Sequence, residues 1–164
     1  MALKLYLAGP DVFLREAIEI GRRKKAICGN IGHEGLFPLD NKVSKDATAI
    51  FAANRDLMDR ADAGLFNLSP FRGPSADAGT VFELGFMAAR GKPVFGYSNA
   101  PAVYEDRVAP DAYEIERFGL ADNLMIAEAI RTAGGEITIV EEKAEPCLAA
   151  MAAFEAAVTR LRMP

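Results

Sequence analysis

The sequence has no tryptophan, one histidine and two cysteines among its 164 residues. A lone imidazole, His33, cannot build a metal cluster, and it leaves Ser-His and Cys-His nucleophile pairs without support. Cys28 and Cys147 stand far apart and lack metal-ligand spacing, so both read as reduced packing residues of a cytoplasmic protein. Excess positive charge is absent too. The net charge is −4, which leaves no electrostatic footprint for nucleic acid. The one basic run, Arg22-Arg23-Lys24-Lys25, falls in a helical pattern and reads as a solvated helix face. No window holds the roughly eighteen apolar residues of a membrane span, and the apolar run in MALKLYLAGP is too short for a signal peptide. Three motifs are also missing. No G-x-G-x-x-G follows the first strand, no glycine-lysine-Ser/Thr run makes a P-loop, and no serine occupies a G-x-S-x-G elbow. These absences predict no cofactor and no metal.

What is present suits a single folded domain over residues 1–164, with 51% hydrophobic and 26% charged residues. Residues 3–8 (LKLYLA) form an apolar run that stops at Gly9-Pro10, the pattern of a buried strand and turn. Asp11 is placed to cap a helix running to about Cys28, with Gly29-Asn30 as its stop. A second strand over 35–39 precedes a helix over 47–60 with Ile50, Ala53, Leu57 and Met58 on its apolar stripe. The third strand spans 62–68, the next helix 77–90 ending at Gly91, and the fourth strand 93–97. A long irregular stretch over 98–120 reads as a functional or capping loop. A helix over 122–132, a strand over 136–140 and a helix over about 144–161 complete the chain. Five strands alternating with helices predict an α/β fold, a doubly wound five-stranded parallel sheet with helices on both faces. Ligands of such sheets bind outside the carboxyl ends of the strands, where strand order reverses.

Carboxylates are the reactive groups left to consider. Asp77 stands where a loop meets a helix, and Glu83 follows in DAGTVFELGFMAARGK, a segment otherwise small or apolar over residues 78–89. Asp62 opens the third strand and Asp40 closes the second. Two carboxylates at one pocket are the chemical minimum for cleaving a glycosidic bond: one meets the anomeric carbon, the other serves the leaving group. Plain structural roles stand beside this. Asp77 is a good helix N-cap. Glu83 shares a helix face with Thr80, Met87 and Arg90, which on spacing alone makes an ordinary exposed strip.

The segments LYLAGPDVF (5–13), PLDN (38–41), NRDL (54–57), ADAGLFNLSPFRG (61–73), DAGTVFELG (77–85) and DNLM (122–125) carry a resemblance. In that order the chain resembles the nucleoside 2-deoxyribosyltransferase family. The resemblance implies a flavodoxin-like subunit of a homo-oligomer, acting on 2-deoxynucleosides and free nucleobases through a covalent glycosyl-enzyme. It implies Glu83 as nucleophile, Tyr6 as the hydroxyl that orients it, and Asp77 as the group exchanging a proton with the base. It places Asp62 near the base, and Asn123 with Met125 in a neighbouring subunit's site, holding sugar hydroxyls. Phe13, Phe71 and Tyr6 are the candidates for aromatic stacking, and Asp40, Ser69 and Gly79 the remaining binding candidates. Two other activities fit the same residues: hydrolysis of nucleosides or their monophosphates, and non-catalytic nucleoside binding. The acid in Gly9-Pro10-Asp11 argues against a phosphorylated substrate, because a carboxylate there repels phosphate.

Overall fold

The computed structural model describes residues 1–41, 46–142 and 147–161. Its five strands are β1 (Lys4–Ala8), β2 (Glu34–Leu36), β3 (Ala63–Asn67), β4 (Val94–Ser98) and β5 (Ile137–Ile139). All pairings are parallel and the order is β2-β1-β3-β4-β5. The helices are α1 (Ala17–Asn30), α2 (Ala47–Arg60), α3 (Ala78–Ala89), α4 (Tyr104–Arg107), α5 (Leu124–Thr132) and α6 (Met151–Arg160). Strand order reverses at β1, which lies between β2 and β3, so the carboxyl ends of β1 and β3 flank the crevice expected of a doubly wound sheet. Among the described residues, no helix is long and apolar enough to cross a membrane.

The central strands are buried along their length instead of alternating, because helices cover both faces. One layer packs Tyr6, Ala8, Phe66 and Leu68 against Leu57, Leu84, Met87 and Ile130 of the α2, α3 and α5 side. The other packs Leu5, Leu7, Leu65 and Tyr97 against Cys28, Ala153, Phe154 and Val158 of the α1 and α6 side. His33 is a tie between elements, its Nδ1 accepting the Leu3 amide at 3.3 Å.

Four expectations change. Asp11 does not cap a helix: residues Pro10–Phe13 form a 3-10 turn, α1 begins at Ala17, and the Asp11 carboxylate is buried. The basic run is not uniformly solvated, since Lys24 is fully buried while Arg22 and Arg23 are exposed. The stop of α1 is Gly32 at φ 82° and not Gly29, with His33 N bonded to Cys28 O at 2.9 Å. β2 ends at Leu36 because Pro38 turns the chain into a 3-10 turn over Pro38–Asp40. Elsewhere Gly91, at φ 69°, ends α3 as expected, with Lys92 N bonding Met87 O at 3.1 Å. The 98–120 stretch contains α4 and is otherwise irregular. The beginning of the last predicted helix, at Ala144, lies outside the described residues.

Candidate active site

A cavity of about 420 Å³ opens at the carboxyl ends of β1 and β2. Gly9, Val12 and Phe13 form the wall after β1, and Pro38, Leu39 and Asn41 the wall after β2. Ile50 and Asn54 come from α2, while Asp77, Gly79, Thr80 and Glu83 come from the start of α3.

The carboxylates reach it for local reasons. Asp77 is the N-cap of α3: its Oδ2 accepts the Thr80 amide at 3.0 Å and the Thr80 hydroxyl at 3.1 Å. The cap role and the cavity role therefore coincide. Glu83 does not lie on an exposed strip, because Thr80 and Met87 on its face are buried. Its Oε1 accepts the Tyr6 hydroxyl at 2.8 Å and Asn54 Nδ2 at 3.3 Å. Burial raises the Glu83 pKa from 4.5 to about 7; the Tyr6 and Asn54 hydrogen bonds pull it down, and the charge on Asp77 pushes it up. Tyr6 lies within β1, completely buried. Burial and the adjacent Glu83 charge raise its pKa far above the phenol value, so it remains a donor.

Phe13 of the cavity wall stacks on Phe71, which is not itself in the lining. Phe13 and Phe71 lie 5.3 Å apart and 5° from parallel, and the Arg72 guanidinium lies 4.8 Å from the Phe71 ring centre and 5.6 Å from that of Phe13. Phe13, 58% exposed, is a cavity residue and not core. Arg72 takes a left-handed backbone, φ 56°, in the loop that presents Phe71.

Behind the β1 wall is a buried polar cluster. Lys24 Nζ donates to Asp11 Oδ2 and to the Tyr97 hydroxyl, each at 2.9 Å, and Asn67 Nδ2 donates to Asp11 Oδ1 at 3.1 Å. Burial lowers the Lys24 pKa, and Asp11 opposes that shift. Asp11 is thus turned toward Lys24, which removes the charge argument against phosphate drawn from Gly9-Pro10-Asp11. Gly9 is required here, since a Cβ would collide with Asp11 and Asn67.

Other predicted residues stand elsewhere. Asp62 precedes β3 at the amino ends of the strands, where its carboxylate accepts the Lys4 amide at 2.7 Å. It is about a strand's length, roughly 15 Å, from the cavity end of the sheet. Asp40 pairs with Lys25 and accepts the Phe37 amide at 3.1 Å; its neighbours Leu39 and Asn41 line the cavity, and it does not. Ser69 is buried, its Oγ accepting the Asn99 amide at 3.2 Å. Asn123 caps α5 through Met125 N at 3.0 Å and donates to Glu116 at 3.0 Å, outside this cavity. Met125 is 71% exposed. Sequence reasoning missed Asn54 and Thr80. Asn54 stands one turn after Ile50 on α2, and that i, i+4 spacing on a cavity-facing stripe was the available signal.

A parallel sheet in this order, with two carboxylates at the reversal of strand order, is a flavodoxin-like α/β arrangement. Residues 5–125 match the sequence model of the Nucleoside 2-deoxyribosyltransferase family, and the chain belongs to that family. It is similar to the structure of a 2-deoxyribosyltransferase from Leishmania mexicana, with a TM-score of 0.74 and 30% identity over 98% of this chain and 99% of that one. A 2-deoxyribosyltransferase from Bacillus psychrosaccharolyticus shares the fold, with a TM-score of 0.55 and 22% identity over 85% of this chain and 86% of that one. An uncharacterised protein of Schizosaccharomyces pombe is 41% identical over 113 residues, 63% of this chain. The match spans about half of that relative's length, 54%.

Proposed function

We propose that the cavity takes a 2-deoxynucleoside and that Glu83 passes its 2-deoxyribosyl group from one nucleobase to another. The observation that carries this is Glu83 itself, a carboxylate at a cavity wall with one oxygen tied to Tyr6 and Asn54 and with Asp77 in the same wall. In the first half-reaction a Glu83 oxygen bonds to C1′ as the C1′–N bond breaks. The bonding pair leaves with the base, and Asp77 supplies the proton that the departing nitrogen takes up. The second base then attacks C1′, displaces the Glu83 carboxylate and returns its proton to Asp77. Two inversions give net retention, with ping-pong kinetics. The partly dry setting keeps the Glu83 charge effective against the developing oxocarbenium ion. A 2-deoxy sugar fits because its missing hydroxyl no longer withdraws electrons from C1′. None of the described lining residues is cationic, which favours uncharged nucleosides over monophosphates.

Asn123 and Met125 we assign to the site of a second copy of this chain, since they stand outside the cavity of their own. The test is exchange. Incubation with 2-deoxyinosine and adenine, then with thymidine and adenine, is followed by chromatography for deoxyadenosine. Exchange from either pair, abolished by several orders of magnitude in Glu83→Ala, is the expected result. Free base and sugar without exchange would make the protein a hydrolase instead. Ligand affinity unchanged in Glu83→Ala with no turnover in the native chain would make it a binding module.

A further inference from the structure

We infer that Asn54 is a positioning residue that divides the labour between the two oxygens of Glu83, fixing Oε1 and leaving Oε2 to attack. This rests on the assignment of Glu83 as nucleophile. Tyr6 approaches Oε1 from β1 and Asn54 approaches it from α2, at 2.8 and 3.3 Å. A carboxylate oxygen offers about two lone-pair sites, so both sites of Oε1 are engaged. No described residue donates to Oε2, and Glu83 lines the cavity. A single donor would leave the carboxylate plane loose, because the terminal torsion of glutamate is broad and roughly two-fold. A second donor from another element fixes that plane. Asn54 is suited to the task because its amide donates at every pH and brings no charge.

The neutral amide also holds down the proton affinity of Glu83, in the same direction as Tyr6 and against the larger effect of burial. Losing it therefore has two separable consequences: the carboxylate is aimed less well, and it ionises at higher pH. Neither is expected of a residue that only fills the cavity wall.

The test compares Asn54→Ala and Asn54→Asp with the native chain and with Glu83→Ala, using 2-deoxyinosine and adenine across about pH 5–9. Asn54→Ala is expected to lower kcat/KM at about pH 6 by roughly tenfold to a hundredfold, the loss of a hydrogen bond to a charged acceptor, with most of it in kcat. Its acid limb is expected to move up by about one unit. Asn54→Asp, isosteric but placing a second charge beside Oε1, is expected to move the limb further up, with its deficit shrinking toward high pH. If both folded variants keep the native acid limb and stay within about threefold of native kcat/KM while Glu83→Ala is inactive, Asn54 is only a lining residue. If Glu83→Ala itself keeps native activity, the assignment of the nucleophile fails, and this inference fails with it.

Discussion

The Glu83 side chain couples chemistry to stability through one proton. Its pKa is raised by burial to about 7 from 4.5. Under the proposed mechanism the reactive form is the carboxylate, so kcat/KM is expected to rise with pH through about 7 in the free enzyme. Stability runs the other way. The unfolded chain releases this proton near its ordinary 4.5, whereas the folded chain keeps it until about 7. Between those values the folded state binds more protons, so unfolding free energy falls as pH rises and the penalty is complete above the upper one. That shift corresponds to a penalty on the order of 3 kcal/mol. Glu83→Gln removes the charge and keeps an oxygen for Tyr6 and Asn54. The variant is expected to melt several degrees above the native protein at about pH 8 and close to it at about pH 4.5. Equal melting differences at both values, measured by calorimetry, would show that the Glu83 charge is not destabilising.

At the scale of elements, the strands and α3 could be read from sequence, and the surroundings of β1 could not. Apolar runs ending in Gly9-Pro10 and a helix closed by Gly91 are local signals, and the structure follows them. Asp77 was open to two readings because one side chain serves both as cap and as cavity wall. Lys24 was hidden in a basic run. Its position nevertheless falls on the buried stripe of α1, with Ala17, Ile20, Gly21 and Cys28 at helical spacing. What the sequence could not show is the partner: Asp11 lies 13 residues earlier, and only the fold of the Pro10–Phe13 turn onto α1 brings the pair together at 2.9 Å. Asp62 stands away from the cavity because a carboxylate beside a strand does not declare which end of the sheet it faces, whereas Asp40 is at the cavity end but turns its carboxylate to Lys25 and the Phe37 amide. The Lys24–Asp11 pair ties α1 to the Pro10–Phe13 turn, whose Val12 and Phe13 line the cavity. Lys24→Ala leaves a buried carboxylate without its counter-charge and with, among the described residues, only Asn67 donating to it, and is expected to cost about 3–5 kcal/mol in urea unfolding. Lys24→Met combined with Asp11→Asn removes both charges and is expected to recover most of that loss. A double variant as unstable as Lys24→Ala would show that the charge pair is not the source of the effect.

At the scale of the whole molecule, the start of α5 is tied to the loop that leads into α3, yet Asn123 and Met125 are not in the lining of the cavity. The cavity is built on β1, β2 and the helices that follow β2 and β3. α5 follows β4, and the stretch before it is anchored on the loop that leads into α3. Arg107 donates to Pro74 O and Ala121 O, each at 2.8 Å, and the buried Asp122 carboxylate accepts the Ala76 amide at 3.0 Å. Asn123 is therefore held firmly at a place where it serves no described wall of its own cavity, with Met125 exposed beside it. The family match nonetheless continues to residue 125. A fixed polar cap next to an exposed apolar side chain is understandable if both meet the substrate held by a second copy. Under that arrangement Glu83→Ala and Asn123→Ala each lose activity, and each retains what the other lacks. Dissociating the two variants, mixing them and letting them reassociate places an intact Glu83 opposite an intact Asn123 in some assemblies. Deoxyadenosine formation is then expected to reappear in the mixture, in proportion to the fraction of mixed assemblies. Native activity in Asn123→Ala alone, or a mixture no more active than its components, would confine each site to a single chain.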